Sequence, residues 1–310
     1  MKIVALAGGV GGAKLVDGLA AILRPEDLTV IVNTGDDFEF LGLYICPDLD
    51  TICYTLAGMA NPETGWGRVN ETWRTLENLK ILGGPGWFQL GDQDIATHLE
   101  RTRRIKDGQP LSQIVRVFCE AWKIKQTVLP MSDQVIRTIV KTDQGDLDFQ
   151  DYFVRREYEP EVKGFEFLGI ETACMAPGVT GAIEESDAVV ICPSNPWVSI
   201  GPILAVAGMR SKMVTKQVFV VSPIIGGQAV KGPAAKMYRE LGFQATALAV
   251  AEHYAGLATG FILDKTDAQF HEEIQEIKMH PFVTETLMKT SEDRRRLAQD
   301  VLNFIGSTLQ

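Results

Sequence analysis

Four carboxylates fall within fifteen residues near the start of the chain: Asp36, Asp37, Asp48 and Asp50. Carboxylate oxygens are the ligands that Mg²⁺ prefers, and a bound Mg²⁺ commonly bridges them to the phosphates of a substrate. The cluster therefore favours a magnesium site formed by these four side chains. The alternative is helix capping, because Asp48 or Asp50 could begin a helix over residues 52–56. Composition alone leaves the two interpretations equal.

A glycine-rich segment, GGVGGAK, occupies residues 8–14 directly after a short apolar run. Glycines let a backbone approach an anion closely, and a helix that begins there offers free N–H groups and a positive dipole end. The segment is neither a Walker A loop nor a dinucleotide-binding G-x-G-x-x-G, because Lys14 stands where the third glycine belongs. It favours phosphate binding by Gly9, Val10, Gly11, Gly12 and Lys14. The alternative is a tight strand-to-helix turn without a ligand.

An aromatic and acidic segment, WFQLGDQD, follows at residues 87–94. Such residues could hold a planar ring by stacking and hydrogen-bond to its edge. Taken alone, the segment is more typical of core aromatics followed by a helix that Asp92 or Asp94 caps. We interpret Arg101 and the basic residues after it as a solvent-exposed helix face, and His98 as a surface or packing residue.

Apolar runs that precede these loops predict the strands that position them. They lie at residues 3–7, 28–32, 188–192, 218–221 and 261–264. The first two enclose a helical pattern from Ala13 to Leu23, and this β-α-β opening predicts a parallel sheet with right-handed crossovers. The first four end directly in loops of Gly, Asn, Asp, Ser or Pro. Because the carboxyl ends of parallel strands share one edge of a sheet, we expect a ligand site there.

The sequence thus predicts an α/β fold, a Rossmann-like and mostly parallel sheet flanked by helices, with a smaller β-rich insertion. Residues 1–127 form the first part of the core and include a helical segment at 50–124. Alternating apolar residues at 128–170 predict the insertion. Residues 171–310 form the second part of the core and end in a helix at about 293–305.

The chain has 310 residues, of which 45% are hydrophobic and 23% are charged, and its formal net charge is −10. This acidic balance argues against a general nucleic-acid binder and against attachment to anionic membranes. No apolar stretch approaches the ~20 residues of a membrane-spanning helix. The five cysteines are scattered and form no C-x-x-C pair. We therefore expect a soluble cytoplasmic protein with reduced thiols.

In combination, the motifs resemble those of the 2-phospho-L-lactate transferases. The matching strings are GGVGGAK at 8–14, NTGDD at 33–37, CPDLDT at 46–51, GWG at 65–67, WF and LGD within 87–92, SNP at 194–196, SIGP at 199–202 and SPII at 222–225. The resemblance extends from residue 1 to about residue 264, and the sequence beyond adds nothing to it. It implies a transferase of coenzyme F-420 biosynthesis.

Members of this family move a phospholactyl group from lactyl-2-diphospho-5'-guanosine to the ribityl hydroxyl of the deazaflavin Fo. The products are coenzyme F-420-0 and GMP, and Mg²⁺ is required. Some members use an enolpyruvyl donor instead, and the sequence leaves the choice between the two donors open. The resemblance implies that these small molecules are the partners of the protein and that the protein is a homodimer.

The resemblance also implies a role for each motif. Asp50 is the expected catalytic residue, which orients or deprotonates the acceptor hydroxyl or holds the Mg²⁺ that does so. The residues expected to contact Fo are Asp50, Phe88, Gln89 and Asp92, with Trp66, Trp87 or Trp197 near its ring. The residues expected to contact the guanosine half of the donor are Ser194, Asn195, Pro196, Ser222 and Pro223. The donor diphosphate is expected on residues 8–14.

Two other functions remain open on the sequence. A nicotinamide-dependent oxidoreductase is disfavoured because Lys14 breaks the dinucleotide fingerprint and residues 33–37 carry two acids. A non-catalytic regulator that binds a nucleotide sugar, similar to the gluconeogenesis factors, would share the fold but would not need Asp50.

Overall fold

Residues 1–309 are described by a computed structural model, and within that range there are 14 strands and 12 α-helices. The strands are β1 (Ile3–Ala7), β2 (Leu28–Val32), β3 (Phe38–Phe40), β4 (Leu43–Ile45), β5 (Thr127–Pro130), β6 (Arg137–Thr142), β7 (Gly145–Asp148), β8 (Val162–Leu168), β9 (Ala188–Ile191), β10 (Gln217–Val221), β11 (Ile224–Ile225), β12 (Gln228–Ala229), β13 (Gly260–Asp264) and β14 (His280–Thr284). The helices are α1 (Gly9–Ala20), α2 (Pro47–Leu56), α3 (Arg74–Ile81), α4 (Asp92–Lys106), α5 (Leu111–Ala121), α6 (Val179–Glu185), α7 (Gly201–Ala205), α8 (Met209–Met213), α9 (Ala234–Glu240), α10 (Ala247–His253), α11 (His271–Glu276) and α12 (Ser291–Thr308).

Seven strands form one parallel sheet in the order β14-β13-β10-β9-β1-β2-β5. Strand β1 pairs with β2 on one side, where Ile3 faces Leu28, and with β9 on the other, where Ile3 faces Ala188. The chain first builds outward through β2 and β5, then returns to β1 and builds the other way. The strand order therefore reverses between β1 and β9, which is where a ligand crevice opens in such sheets.

Alternate residues of β1 pack into two helical layers. Val4 and Leu6 point into a core shared with α6, α8 and α10, whereas Ile3 and Ala5 point into one shared with α1, α2, α5 and α12. Every residue of β1 is buried, as expected for a parallel strand covered by helices on both faces. The predicted α/β fold, a Rossmann-like sheet flanked by helices, is confirmed.

The smaller β-rich unit is an antiparallel sheet in the order β7-β6-β8, within the range predicted for the insertion. The predicted boundary at residue 128 falls inside β5, which pairs with β2 in the main sheet, where Thr127 faces Thr29. The division of the chain into three parts stays a prediction. In the segment predicted as helical, residues 57–73 and 82–91 lie between the helices and not within them.

The last part of the chain completes the main sheet. The predicted strand and the predicted terminal helix are present as β13 and α12. A capping box begins α12, because the Thr290 hydroxyl accepts from the Asp293 N–H at 3.1 Å and the Asp293 carboxylate accepts from the Thr290 N–H at 2.8 Å. Among residues 1–309, no helix combines the length and the apolar character needed to cross a bilayer.

Candidate active site

The loops that follow four neighbouring strands surround a cavity of about 590 Å³ at the carboxyl edge of the sheet. They contribute Gly8 after β1, Asp36 after β2, Ser194 after β9 and Ser222 after β10. Helix α2 and the segment 230–234 also line it. The expected convergence of these loops on one edge is therefore observed.

Two side chains fix the backbone of the glycine loop (residues 8–14). Gly9 has a φ of 63°, in the left-handed region that favours glycine, and its N–H donates to the Asp48 carboxylate at 2.7 Å. The Gly8 N–H donates to Ser194 Oγ at 3.1 Å, and that hydroxyl donates back to the Gly8 carbonyl at 2.7 Å. Segments distant in sequence therefore set the position of the loop.

At two other positions of the loop, neighbouring atoms lie too close for any residue but glycine. A Cβ on Gly11 would lie 2.3 Å from the Pro193 carbonyl oxygen, and a Cβ on Gly12 would lie 2.6 Å from Ser194 Oγ. Gly12 does not line the cavity, so its place in the sequence is accounted for by packing. The loop residues that line the cavity are Gly8, Gly9, Val10, Gly11 and Lys14.

Burial raises the pKa of three of the four clustered aspartates. The Asp48 carboxylate accepts hydrogen bonds from the Gly9 N–H and, at 3.0 Å, from Asn33 Nδ2, yet burial raises its pKa to about 6. Burial, together with the charges of its neighbours Asp48 and Asp37, raises the pKa of Asp36 well above its usual value. Burial also raises the pKa of Asp37. The members that line the cavity are Asp36, Asp48 and Asp50, whereas Asp37 lies outside it.

The donor set at this cluster fits a hard divalent cation. One carboxylate oxygen of Asp36, which lines the cavity, is buried without a hydrogen-bond donor from residues 1–309, and a nearby cation would favour the charged form of such a group. No group of three or more His, Cys, Asp or Glu side chains in that range converges as a complete ligand set. Mg²⁺ commonly uses one or two carboxylates together with water and substrate phosphates, which Asp36 and Asp48 could provide.

Asp50, in α2, forms a buried ion pair with Arg101 of α4. Both carboxylate oxygens contact the guanidinium, with Oδ2 3.1 Å from Nη1 and Oδ1 bonded to Nη2. The same Nη1 lies 3.1 Å from His98 Nδ1. Because arginine can only donate, Nδ1 accepts, and the proton of a neutral His98 lies on Nε2. Arg101 is 2% exposed, so the interpretation of this residue as part of a solvent-exposed face is wrong.

The polar network continues from His98 to two more side chains that line the cavity, Asp94 and Tyr54. His98 Nε2 lies 3.6 Å from Asp94 Oδ1, and the Tyr54 hydroxyl donates to the same oxygen at 2.6 Å. Burial acts to raise the pKa of Asp94, but the neighbouring His98 ring and the hydrogen bond from Tyr54 outweigh it and the pKa is lowered. The sequence analysis assigned no role in the site to His98, Tyr54 or Arg101. The signal was the spacing of Asp94, His98 and Arg101, which places all three on one helix face.

The aromatic segment lies against the hairpin β3–β4. Its residues that line the cavity are Trp87, Phe88 and Gln89, joined by Trp66. The ring centroid of Phe88 lies 4.8 Å from that of Phe38, and the centroid of Trp87 lies 5.1 Å from that of Phe40, both pairs edge-to-face. The hairpin therefore fixes the orientation of the Trp87 and Phe88 rings, which we expect to lie near the acceptor Fo.

Two residues expected near the acceptor do not line the cavity: Asp92 and Trp197. The Asp92 carboxylate accepts from the N–H groups of Arg74 and Thr75, at 3.1 and 2.9 Å, and from the Thr72 hydroxyl. These bonds lower its pKa and satisfy the free N–H groups at the start of α3. In this structure Asp92 thus serves to cap a helix.

The β-rich insertion supplies an aromatic wall that the sequence analysis did not assign to the site. Phe149 and Phe153 line the cavity, and their rings stack with centroids 5.5 Å apart and an interplanar angle of 10°. Gln150 and Glu157, from the same segment, also line it. The cavity is therefore bounded by both the main sheet and the insertion.

Four of the five residues expected at the guanosine half of the donor line the cavity: Ser194, Asn195, Ser222 and Pro223. Pro196 does not; it begins the short turn Pro196–Ile200, where Asn195 Oδ1 accepts the Trp197 N–H at 2.9 Å.

The C-terminal segment also reaches the cavity, through Thr286 and Met288. The Lys14 amine donates to the Met288 carbonyl at 2.8 Å. Burial lowers the pKa of Lys14, and the positive charges of Arg294 and Lys231 lower it further. Residues beyond 264, where the sequence offered no matching motif, therefore contribute to the site.

Comparisons with known proteins identify the family, and the similarity continues beyond residue 264, where the motifs of the sequence had ended. A family model described as 2-phospho-L-lactate transferase CofD matches residues 3–307. A phosphoenolpyruvate transferase of Streptomyces griseus is 46% identical over 283 residues, which cover 89% of each chain. A 2-phospho-L-lactate transferase of Methanosarcina mazei is 37% identical over 300 residues, which cover 97% of this chain and 99% of that one. The fold is shared with protein BH3568 of Bacillus halodurans, with a TM-score of 0.65 at 15% identity over 97% of this chain and 99% of that one. The chain belongs to the 2-phospho-L-lactate transferase family, the transferases of coenzyme F-420 biosynthesis.

Proposed function

We propose that the protein transfers a phospholactyl group from lactyl-2-diphospho-5'-guanosine to the ribityl hydroxyl of Fo, giving coenzyme F-420-0 and GMP. The observation that carries the proposal is the meeting of three features in one cavity: the glycine loop, buried carboxylates and the aromatic residues 87–88. A diphosphate donor, a divalent cation and a flat acceptor each require one of these features.

The proposed transfer is an in-line displacement at the β-phosphorus of the donor. The acceptor oxygen forms a bond to this phosphorus while the bond from phosphorus to the oxygen that bridges the two phosphates breaks. GMP leaves with the bridging oxygen, and the hydroxyl gives up its proton. Phosphoryl transfer of this kind depends mainly on positioning and on electrostatic stabilisation.

We place Asp50 at the acceptor hydroxyl. Its carboxylate lines the cavity, and its contacts with Arg101 fix the direction of both oxygens. A carboxylate held in this way is suited to accept the hydrogen bond of the hydroxyl and to receive its proton late in a loose transition state. Arg101 and His98 then act as positioning residues for Asp50.

We place Mg²⁺ at Asp36 and Asp48, which line the cavity. When bound, the ion supplies positive charge to the donor phosphates. Asp48 also accepts the N–H of Gly9, so one carboxylate links the metal position to the glycine loop. Asp37, outside the cavity, and Asp50, paired with Arg101, are left out of this ligand set.

The two substrates occupy opposite ends of the cavity in this proposal. The residues that we assign to the guanosine half of the donor are Ser194, Asn195, Ser222 and Pro223. The residues that we assign to the deazaflavin ring are Trp87, Phe88 and Gln89. The glycine loop and Lys14 hold the diphosphate between them, where a helix start and an amine both favour negative charge.

A second candidate donor carries an enolpyruvyl group in place of the lactyl group. The observation that favours it is the identity of 46% to the phosphoenolpyruvate transferase of Streptomyces griseus, against 37% to the 2-phospho-L-lactate transferase of Methanosarcina mazei. The reaction at phosphorus is the same for both donors. They differ in a single C–C double bond and in the shape of the three-carbon acid.

The experiment that tests the proposal mixes the protein, Fo and Mg²⁺ with each donor separately and measures GMP and the deazaflavin product. Turnover with the lactyl donor supports the first candidate, and turnover with the enolpyruvyl donor alone selects the second. No GMP from either donor would contradict both. Binding of NAD(H) or of a nucleotide sugar, seen as thermal stabilisation, would favour the oxidoreductase or the regulator instead.

Asp50→Asn provides the sharpest test of the mechanism. Asn keeps the size of the side chain but loses its charge, so we expect turnover at saturating substrates to fall by about 10²-fold or more. Affinity for GDP without metal should change little, because Asp50 is assigned to the acceptor. Asp146→Asn, at an exposed position of β7, is the matched control. Turnover of Asp50→Asn within a few-fold of wild type would remove Asp50 from its role.

The cellular setting stays a prediction. All five cysteines are free and four of them are buried, which is compatible with the cytoplasm that the sequence analysis proposed. A homodimer is likewise proposed from the family, and sedimentation of the purified protein would test it.

A further inference from the structure

The charges that line the cavity are unbalanced. Two lysines, Lys14 and Lys231, face the cavity. The carboxylates that face it are Asp36, Asp48, Asp50, Asp94 and Glu157. The proposed donor brings two phosphates and a carboxylate into this acidic surrounding. Each cation in the wall is therefore important for binding it.

Lys231 lies next to the glycine loop, although 217 positions separate it from Lys14 in the sequence. Its amine donates to the Thr64 carbonyl, and a Cβ on Gly65 would lie 3.2 Å from Nζ. The same Cβ would lie 2.8 Å from Cγ1 of Val10. The amine thus reaches the glycine loop from the segment 230–234.

Lys231 has no carboxylate partner among residues 1–309. Burial alone lowers its pKa, and its charge contributes to lowering the pKa of Lys14. Lys236, in the helix that follows, is by contrast paired with Glu240 at 2.5 Å. Two amines that line one cavity and repel one another beside the glycine loop form a site that an anion would stabilise.

We propose that Lys231 is a second cationic residue of the donor site and binds an anionic oxygen of the donor together with Lys14. The inference rests on the proposed function for the identity of the ligand. The ligand oxygen belongs either to the diphosphate or to the carboxylate of the three-carbon acid. A lysine amine recognises both in the same way, by charge-assisted hydrogen bonds.

The competing explanation is that Lys231 only ties the segment at 61–67 to the segment at 230–234. In that case its hydrogen bond to the Thr64 carbonyl is its whole contribution. Loss of the amine would then lower the melting temperature and leave affinity for anions unchanged. The two explanations therefore differ in ligand affinity and not in stability.

The test measures, by calorimetry with Mg²⁺ and without Fo, the affinity of wild type and three variants for GDP and for each donor. Lys231→Met should weaken binding of the ligand by about 10- to 100-fold, and Lys231→Arg, which keeps the charge, should restore most of it. Lys163→Met is the control, because Lys163 is exposed and pairs with Glu161 at 2.5 Å.

Comparing the losses for GDP and for the donor identifies which ligand oxygen Lys231 binds. Equal losses for GDP and donor assign Lys231 to the diphosphate, and a loss for the donor alone assigns it to the carboxylate. Wild-type affinity of Lys231→Met for both ligands overturns the inference while leaving the proposed function intact. A wild type that binds neither GDP nor donor overturns both.

Discussion

The buried pair of Asp50 and Arg101 stabilises the fold only while both charges are present. Removing one partner leaves an unpaired buried charge, which costs ~3–5 kcal/mol. Arg101→Met should therefore lower the free energy of unfolding by about that amount, because Asp50 loses both guanidinium contacts. Urea denaturation of wild type and variant measures the difference.

Two further variants separate stability from positioning. The double variant Asp50→Asn/Arg101→Met should be more stable than Arg101→Met, because it buries no unpaired charge. Arg101→Lys keeps the charge but cannot contact both oxygens in one plane, so it should lose turnover while the KM for Fo changes little. A cost below about 1 kcal/mol for Arg101→Met would mean that the pair is solvated in solution.

The residues of this network show which parts of the site can be predicted from the sequence and which cannot. Asp50 could be identified from a motif, but Arg101 belongs to a run of basic residues in which Arg103 is exposed and Arg101 is buried. Charge alone does not distinguish them, because burial of an arginine depends on which carboxylate the tertiary structure brings to it. The helical spacing of Asp94, His98 and Arg101 was the available signal.

Among the elements, the β-rich insertion forms part of the cavity wall, which its sequence did not indicate. Phe153 stacks on Phe149 in the wall of the cavity, so we expect this wall to contact the deazaflavin ring. Phe153→Leu should raise the KM for Fo by about 3- to 10-fold and leave affinity for GDP unchanged. Steady-state kinetics with varied Fo measure the effect, with a substitution of exposed Leu168 in β8, Leu168→Ala, as the control. A loss of GDP affinity instead would assign the wall to the donor.

The strands and their loops were the most predictable elements. Continuous apolar runs identified β1, β2, β9, β10 and β13, because a strand buried on both faces leaves an unbroken signal. Strand β14 was not predicted, since its sequence HPFVT is only partly buried and contains Pro281. Proline is tolerated there because β14 is an edge strand. In α4 hydrophobicity alone does not identify the buried face, because Leu99 is 54% exposed while His98 is buried.

At the scale of the whole molecule, the buried groups Asp48 and His253 make stability depend on pH, and they do so in opposite directions. Asp48 has a pKa of about 6 in the folded protein and ~3.9 in the unfolded chain. Its contribution to the free energy of unfolding therefore falls as the pH rises from about 4 to 6. His253 has a pKa lowered to about 4 by burial, so its contribution rises with pH between about 4 and 6.5.

Adding Mg²⁺ distinguishes the contribution of Asp48 to the pH dependence of stability from that of His253. At the proposed site Mg²⁺ would displace the proton from Asp48, so the rise in melting temperature on adding Mg²⁺ should be larger at pH 7 than at pH 5. His253 contributes equally with and without the ion and cancels from this difference. Asp48→Asn should reduce this difference between pH 7 and pH 5, and the part that remains belongs to Asp36, the other proposed ligand, whose pKa is also raised. An equal rise at both pH values in the wild type would place the ion elsewhere.

The reversal of strand order at β1 also has a consequence for synthesis on the ribosome. Gly8 and Ser194, which hydrogen-bond to each other, are 186 residues apart, and β1 cannot pair with β9 before residue 188 has been made. At ~5–20 residues per second, the nascent chain carries its first strand for roughly 10–40 s without this neighbour. During that time one edge of β1 is open to any other strand. We therefore expect the early chain to be the part that most needs chaperones.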